Sequence, residues 1–212
     1  GQLKGFERFW HGATYLLMVL LLSWEVWWQI KEVTFNPVWE NIGVGLVSLV
    51  SILIVLRMRF WRQELTSLYE EVVAGILFVG LFLNFMNSCF LIPDVSPLPY
   101  IPLMNPLDVW QLTIILSAGY WWLNHVRETK FMPSIKVGWM ILTVLSFVLL
   151  NTLLLRTLHT FAGIPFNLHS LFKSDLVQTC LSIFWSMLGV GLFILAKRLV
   201  KKEFWMLGVG LF

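Results

Sequence analysis

Along the 212 residues of this chain, apolar runs about as long as a bilayer is thick alternate with short polar connections. Six runs stand out: Trp10–Ile30, Asn41–Leu56, Val72–Ile92, Asp108–Val126, Val137–Leu155 and Leu176–Ala196. A hydrocarbon core of about 30 Å takes about 20 residues of helix, and segments that lipid can reach must be helical because unpaired backbone groups are too costly there. The pattern predicts an all-α transmembrane protein, a polytopic helical bundle of six full spans. Phe204–Phe212 is apolar but only nine residues long, less than half of a crossing at about 1.5 Å per residue. It reads as the start of a seventh span. Residues 1–212 are therefore expected to form a single transmembrane helical domain, a fragment of a longer polytopic protein.

Charge orients the bundle. Of the fifteen Lys and Arg residues, twelve fall in one set of alternating connections: Lys4, Arg8, Arg57, Arg59, Arg62, Arg127, Lys130, Lys136, Lys197, Arg198, Lys201 and Lys202. The other set holds Lys31, Arg156 and Lys173. Basic residues concentrate on the cytoplasmic side of membrane proteins, so the N-terminus is expected in the cytoplasm and the first span to run outward.

Composition agrees. A hydrophobic fraction of 58% and a mean hydropathy of +0.78 exceed those of a soluble domain. Twelve Trp residues suit a chain with interfacial aromatic belts. Trp24, Trp27 and Trp28 are expected at the outer end of the first span, and Trp121 and Trp122 near the inner end of the fourth. The net charge of +3 resides in juxtamembrane anchors, so no nucleic-acid partner is implied. Cys89 and Cys180 lie near outer span ends, where a bridge would be chemically permitted, but isolated cysteines in apolar helices usually act as small hydrophobes. No CxxC or Cys/His metal pattern exists, and no metal or other cofactor is expected.

Two outer connections carry structure. Pro93–Pro106 holds five prolines in fourteen residues, which forbids regular helix. Its apolar side chains (Leu98, Tyr100, Ile101, Leu103 and Met104) are expected to pack back onto the bundle. Asn105 suits a helix cap, Pro106 the first turn and Asp108 the positive end of the helix dipole. Pro37 is a candidate earlier start for the second helix, and Gln63–Glu71 is expected to continue as helix into the third. Arg156–Asp175 is read as a loop dense in polar groups, with Ser174 as cap of the sixth span. Met-Leu-Gly-Val-Gly-Leu-Phe occurs at both 187–193 and 206–212, placing glycines where consecutive helices approach closely.

Several stretches carry a family resemblance. Pro102-Leu103-Met104-Asn105-Pro106-Leu107-Asp108-Val109-Trp110-Gln111 resembles a "PLLNPLDLAQ" signature. Arg156-Thr157-Leu158-His159, with Ala162-Gly163-Ile164-Pro165-Phe166, resembles "RTLHHWAGVPF". Ser174-Asp175-Leu176-Val177-Gln178 with Leu181-Ser182-Ile183-Phe184-Trp185, and Ser23-Trp24-Glu25 with Trp28, complete the match. These resemble the bacterial predicted inner-membrane proteins called domain of unknown function twenty-three thirty-nine. The resemblance covers essentially the whole chain, as a C-terminal portion of longer members. It implies a bacterial inner (cytoplasmic) membrane and a many-helix bundle, and no activity.

The polar residues of the spans converge on the outer side. Glu25, Asn84, Asn87, Asn105, Asp108, Gln111, Arg156 and His159 are joined there by Gln178, Ser182 and Trp185, which share one face of the sixth span at i, i+4 and i+7. Ionisable groups at membrane depth are costly and often functional. Each also has a plain reading: Glu25 as a structural partner of Arg156, Asp108 as a dipole partner, His159 as a hydrogen-bonded loop histidine, and the Gln178/Ser182/Trp185 stripe as interhelical glue. No zinc spacing, nucleophile elbow or phosphate loop appears.

Three functions fit. The first is binding or handling of an envelope lipid or saccharide, with Arg156 as anion clamp and Glu25, His159 and Asp108 as polar or proton-transferring partners. The alternative is a non-catalytic scaffold or accessory subunit docking other membrane proteins. The third is a glycosyltransferase-like enzyme, whose base would be one of Asp94, Asp108, Asp175, Glu32 and Glu40. No catalytic residue is singled out.

Overall fold

The computed structural model describes residues 2–57, 68–125, 135–199 and 208–210, and among these every regular element is helical. The chain divides into two compact units, Gly1–Leu150 and Asn151–Phe212. The helices are α1 (Gln2–Thr34), α2 (Pro37–Arg57), α3 (Ala74–Phe90), α4 (Pro106–His125), α5 (Ile135–Ala162), α6 (Leu168–Lys173) and α7 (Asp175–Leu199). A π-helical turn at Leu68–Val73 leads into α3.

Four stretches are long and apolar enough to cross a membrane: Phe9–Thr34, Pro37–Arg57, Val137–Ala162 and Asp175–Arg198. α3 is apolar but shorter. The seventh run, Phe204–Phe212, lies outside the described residues except at Gly208–Gly210, as do the basic clusters around Arg59 and Lys130.

In the first unit α1 packs on α2, and α2 packs on α3 and α4. The core follows from their apolar faces: Ile42, Leu49, Ile52 and Val55 of α2 meet Leu77, Leu81 and Phe85 of α3 and Leu107, Trp110 and Ile114 of α4 in one buried cluster. Tyr15 of α1 donates its hydroxyl to the Ser51 carbonyl at 2.9 Å, a polar tie between two apolar helices. Trp121 belongs to this core: it is buried and lies 4.4 Å from Phe78, centroid to centroid. It and the half-buried Trp122 thus pack on the core in the last turns of α4. Trp122 also lies where a side chain on Gly138 would have to go, so α5 approaches α4 over a glycine.

The helix starts obey local chemistry. α2 begins at Pro37, which needs no backbone donor in a first turn, and Asn36 caps it by accepting from Val38 N at 2.9 Å. Asn105 caps α4 in the same way through Leu107 N at 2.9 Å. In the second unit Val177 N reaches the Ser174 hydroxyl at 3.4 Å, at the start of α7. α5 departs from expectation: it continues through Arg156 and His159 to Ala162, so these residues lie on helix and not in a loop. The remaining connection contains the short helix α6, capped by Asn167 accepting from Ser170 N at 2.8 Å. A Cβ on Gly208 would stand 3.3 Å from the Gly189 carbonyl oxygen, so the two copies of the repeated heptapeptide do approach closely.

The proline-rich connection also departs from expectation. Leu98, Ile101, Leu103 and Met104 are exposed, whereas Tyr100 is half-buried and Val95 lies in the core. Prolines deny the segment a regular path, and Asn36 and Asn105 hold its backbone, at the Asp94 and Pro93 carbonyls, rather than its side chains.

Candidate functional site

The polar side chains of the first unit form a seam between three helices. Trp110 of α4 donates its indole N–H to Asn84 Oδ1 of α3 at 2.8 Å. Asn84 Nδ2 donates to the Asn41 carbonyl of α2 at 2.8 Å and to its Oδ1 at 3.1 Å. Asn87, one turn further along α3, donates to the same Oδ1 at 2.9 Å. A second tie joins Gln111 Nε2 to Ser88 Oγ at 2.6 Å and to the Cys89 sulfur at 3.3 Å. The Cys89 thiol in turn donates to the Phe85 carbonyl. Amides suit this role because each carries both donor and acceptor, and in an apolar bundle a polar group must find a protein partner.

Gly45 permits the seam. A Cβ there would collide with the Trp110 ring and stand 2.7 Å from Asn84 Oδ1. α2 therefore comes close enough for Asn41 to reach α3 only because position 45 has no side chain.

Burial separates the candidate residues. Asn105, Asp108, Gln111 and Arg156 are each at most 2% exposed. Glu25, Gln178, Ser182 and Trp185 are exposed, and His159 lies between. Asn105 is spent on capping α4 and on a 3.3 Å bond to the Pro93 carbonyl. Glu25 accepts from Gln29, one turn on, at 2.8 Å, an exposed bond within its own helix. Asp108 lies in the first turn of α4, where a carboxylate complements the dipole.

The second unit has its own polar contacts. Trp185 Nε1 of α7 donates to Asn151 Oδ1 of α5 at 2.7 Å, an interhelical tie. Gln178 instead donates to the Phe172 carbonyl at 2.7 Å, and Ser182 to the Gln178 carbonyl of its own helix. Only Trp185 of the expected stripe thus bridges α5 and α7 in these bonds. His159 Nδ1 lies 2.6 Å from the Ile164 carbonyl. A carbonyl only accepts, so the hydrogen is on Nδ1, and Nε2 of the neutral ring is left as the acceptor. This bond folds the chain back across Gly163, whose φ of +66° is the left-handed conformation glycine adopts without penalty.

The acidic candidates are dispersed. Glu40 accepts the Trp27 indole N–H at 2.8 Å, with the Lys31 ammonium 4.6 Å from the same ring. Asp94 accepts from Ser96 N, while Glu32 and Asp175 are exposed. Among the described residues no cluster of His, Cys, Asp and Glu is placed to hold a metal. Asn41, Gly45, Ser88, Trp110 and Asn151 were not among the residues singled out for a site; the signal for the two asparagines is an amide inside or at the edge of an apolar run.

A family model described as predicted membrane protein (DUF2339) matches residues 1–212. No curated protein matches the chain. No solved structure matches it either.

Proposed function

Because the chain belongs to the DUF2339 family of predicted membrane proteins, we propose that it is a multipass, non-catalytic scaffold of a bacterial inner membrane. In this reading six helices span the bilayer, a seventh begins after Lys202, and the N-terminus lies in the cytoplasm. The asymmetry of Lys and Arg supports that orientation.

The observation that carries the scaffold reading is the seam itself. The amides of Asn41, Asn84 and Asn87 are spent on one another and on Trp110, and Gly45 closes the helices over them. Polar groups used in this way hold helices together rather than receive a ligand. Arg156, the natural clamp for a phosphate or carboxylate, is fully buried, which weighs against head-group or saccharide handling. Meanwhile α1 and α7 keep most of their apolar surface outward, as helices do that meet lipid or other membrane proteins.

The test is native mass spectrometry of the full-length protein released from nanodiscs, wild type beside Arg156→Ala. A stoichiometric protein partner, no retained small molecule and a lower melting temperature for Arg156→Ala are expected. A discrete lipid or saccharide that the folded variant loses would overturn the scaffold in favour of ligand handling.

A further inference from the structure

Two connections meet at one end of the first unit, and a pair of asparagines binds them together. Asn36, between α1 and α2, donates Nδ2 to the Asp94 carbonyl at 2.9 Å. Asn105, at the start of α4, donates Nδ2 to the adjacent Pro93 carbonyl at 3.3 Å. The residues preceding these asparagines, Phe35 and Met104, thus flank the same stretch of backbone.

What this platform displays is apolar. Phe35 is 78% exposed, Met104 75% and Leu103 62%, and Ile92, Leu98 and Ile101 are each at least half exposed. Phe35 and Leu103 hold φ of 49° and 67°, a left-handed conformation that bulky residues rarely adopt. The strain is borne at two positions whose side chains make no use of the core. The segment 91–107 contains no Lys or Arg, and Asp94 is its acidic residue.

The depth is set by the helices. α2 has 21 residues, about 32 Å at the usual rise, which matches the roughly 30 Å hydrocarbon core. With Arg57 at one boundary, Pro37 stands at the other. The apolar stretch Phe9–Thr34 has 26 residues, about 39 Å, close to the roughly 40–45 Å of a bilayer with its head groups. Phe35 therefore falls in the head-group layer. Trp24 and Trp28, both exposed on the last third of α1, lie on the hydrocarbon side of it, where amphipathic rings collect.

We propose that the platform formed by Phe35 and the 91–105 connection is an interfacial membrane anchor, with Phe35, Leu103 and Met104 immersed at the boundary between head groups and acyl chains. The occupant of this surface is the protein's own bilayer. Immersion of about 5–10 Å is typical of such apolar interfacial elements, and the absence of basic residues means that the burial of apolar area, not attraction to anionic lipid, drives it.

The test places an NBD fluorophore on single cysteines introduced as Phe35→Cys, Leu103→Cys and Met104→Cys in otherwise cysteine-free full-length protein, reconstituted in phosphatidylcholine nanodiscs that expose both faces. Each variant must first show the wild-type gel-filtration and circular dichroism profile, which exposed positions favour. Emission is expected to shift to the blue, to lose most of its intensity with lipid doxyl-labelled near the head group, and to resist iodide in solution. Quenching by iodide as strong as for the free fluorophore would place the platform in water and overturn the proposal. Protection from both quenchers, with a second copy or another protein in the particle, would overturn it in favour of a protein interface.

Discussion

Trp110 and Asn84, on different helices and twenty-six positions apart, share a 2.8 Å hydrogen bond that exists because Gly45 of a third helix leaves room for the indole. Three helices are registered by this contact. It sets the clearest expectations for mutation.

Gly45→Ala should lower stability by about 1–3 kcal/mol, the usual cost of overpacking a filled site. Gly80→Ala on α3 is the control, because nothing lies within 4 Å of its added methyl, and it should be neutral or stabilising by up to about 1 kcal/mol. Thermal unfolding in nanodiscs, followed by circular dichroism, checks both. Equal effects at the two positions would remove Gly45 from its role.

Asn41→Ala and Asn84→Ala should be non-additive, since Asn41→Ala removes the Oδ1 that Asn84 reaches at 3.1 Å and leaves only the backbone carbonyl, while Asn84→Ala removes the donor to both. Interhelical hydrogen bonds in membranes couple by about 0.6 kcal/mol on average and at most about 1.7. A double-mutant cycle measuring a coupling within that range supports the seam, and additive losses would argue that the amides merely lie near one another.

Asn36→Ala removes the α2 cap and the grip on Asp94 together. Loss of a cap typically costs about 1 kcal/mol. Hydrogen exchange should accelerate at Val38 and its neighbours, while the amides of α3 stay protected. Asn36→Asp keeps the acceptor but not the donor, so it should preserve the cap and free the Asp94 carbonyl, while Asn105 keeps its bond to the Pro93 carbonyl.

His159 should carry its hydrogen on Nδ1 in the neutral form, because the group 2.6 Å away is a carbonyl. Nitrogen-15 NMR of labelled histidine reads this directly, and a hydrogen on Nε2 instead would contradict the geometry. Trp185→Phe should loosen the second unit by up to about 1.7 kcal/mol through loss of its bond to Asn151.

Much of the architecture was legible without coordinates. Hydropathy runs and helix caps are properties of neighbouring residues, so the helical class and the Asn105-Pro106 opening of α4 followed from composition and order alone, while the second helix takes the earlier Pro37 start that the sequence left open against Asn41. The membership of Asn84 and Gln111 in a polar layer was legible too, because an amide inside an apolar run must find a partner. Which partners those amides find was decided by tertiary structure. That Gly45 faces Trp110, that Asn41 completes the seam, and that Arg156 and Asp108 are buried depend on how separate helices are rotated and packed, which no local pattern encodes. The proline-rich segment shows the same division. Its lack of helix is written in its prolines, but the outward turn of Leu103 and Met104 arises because Asn36 and Asn105 hold its backbone from two helix ends distant in sequence.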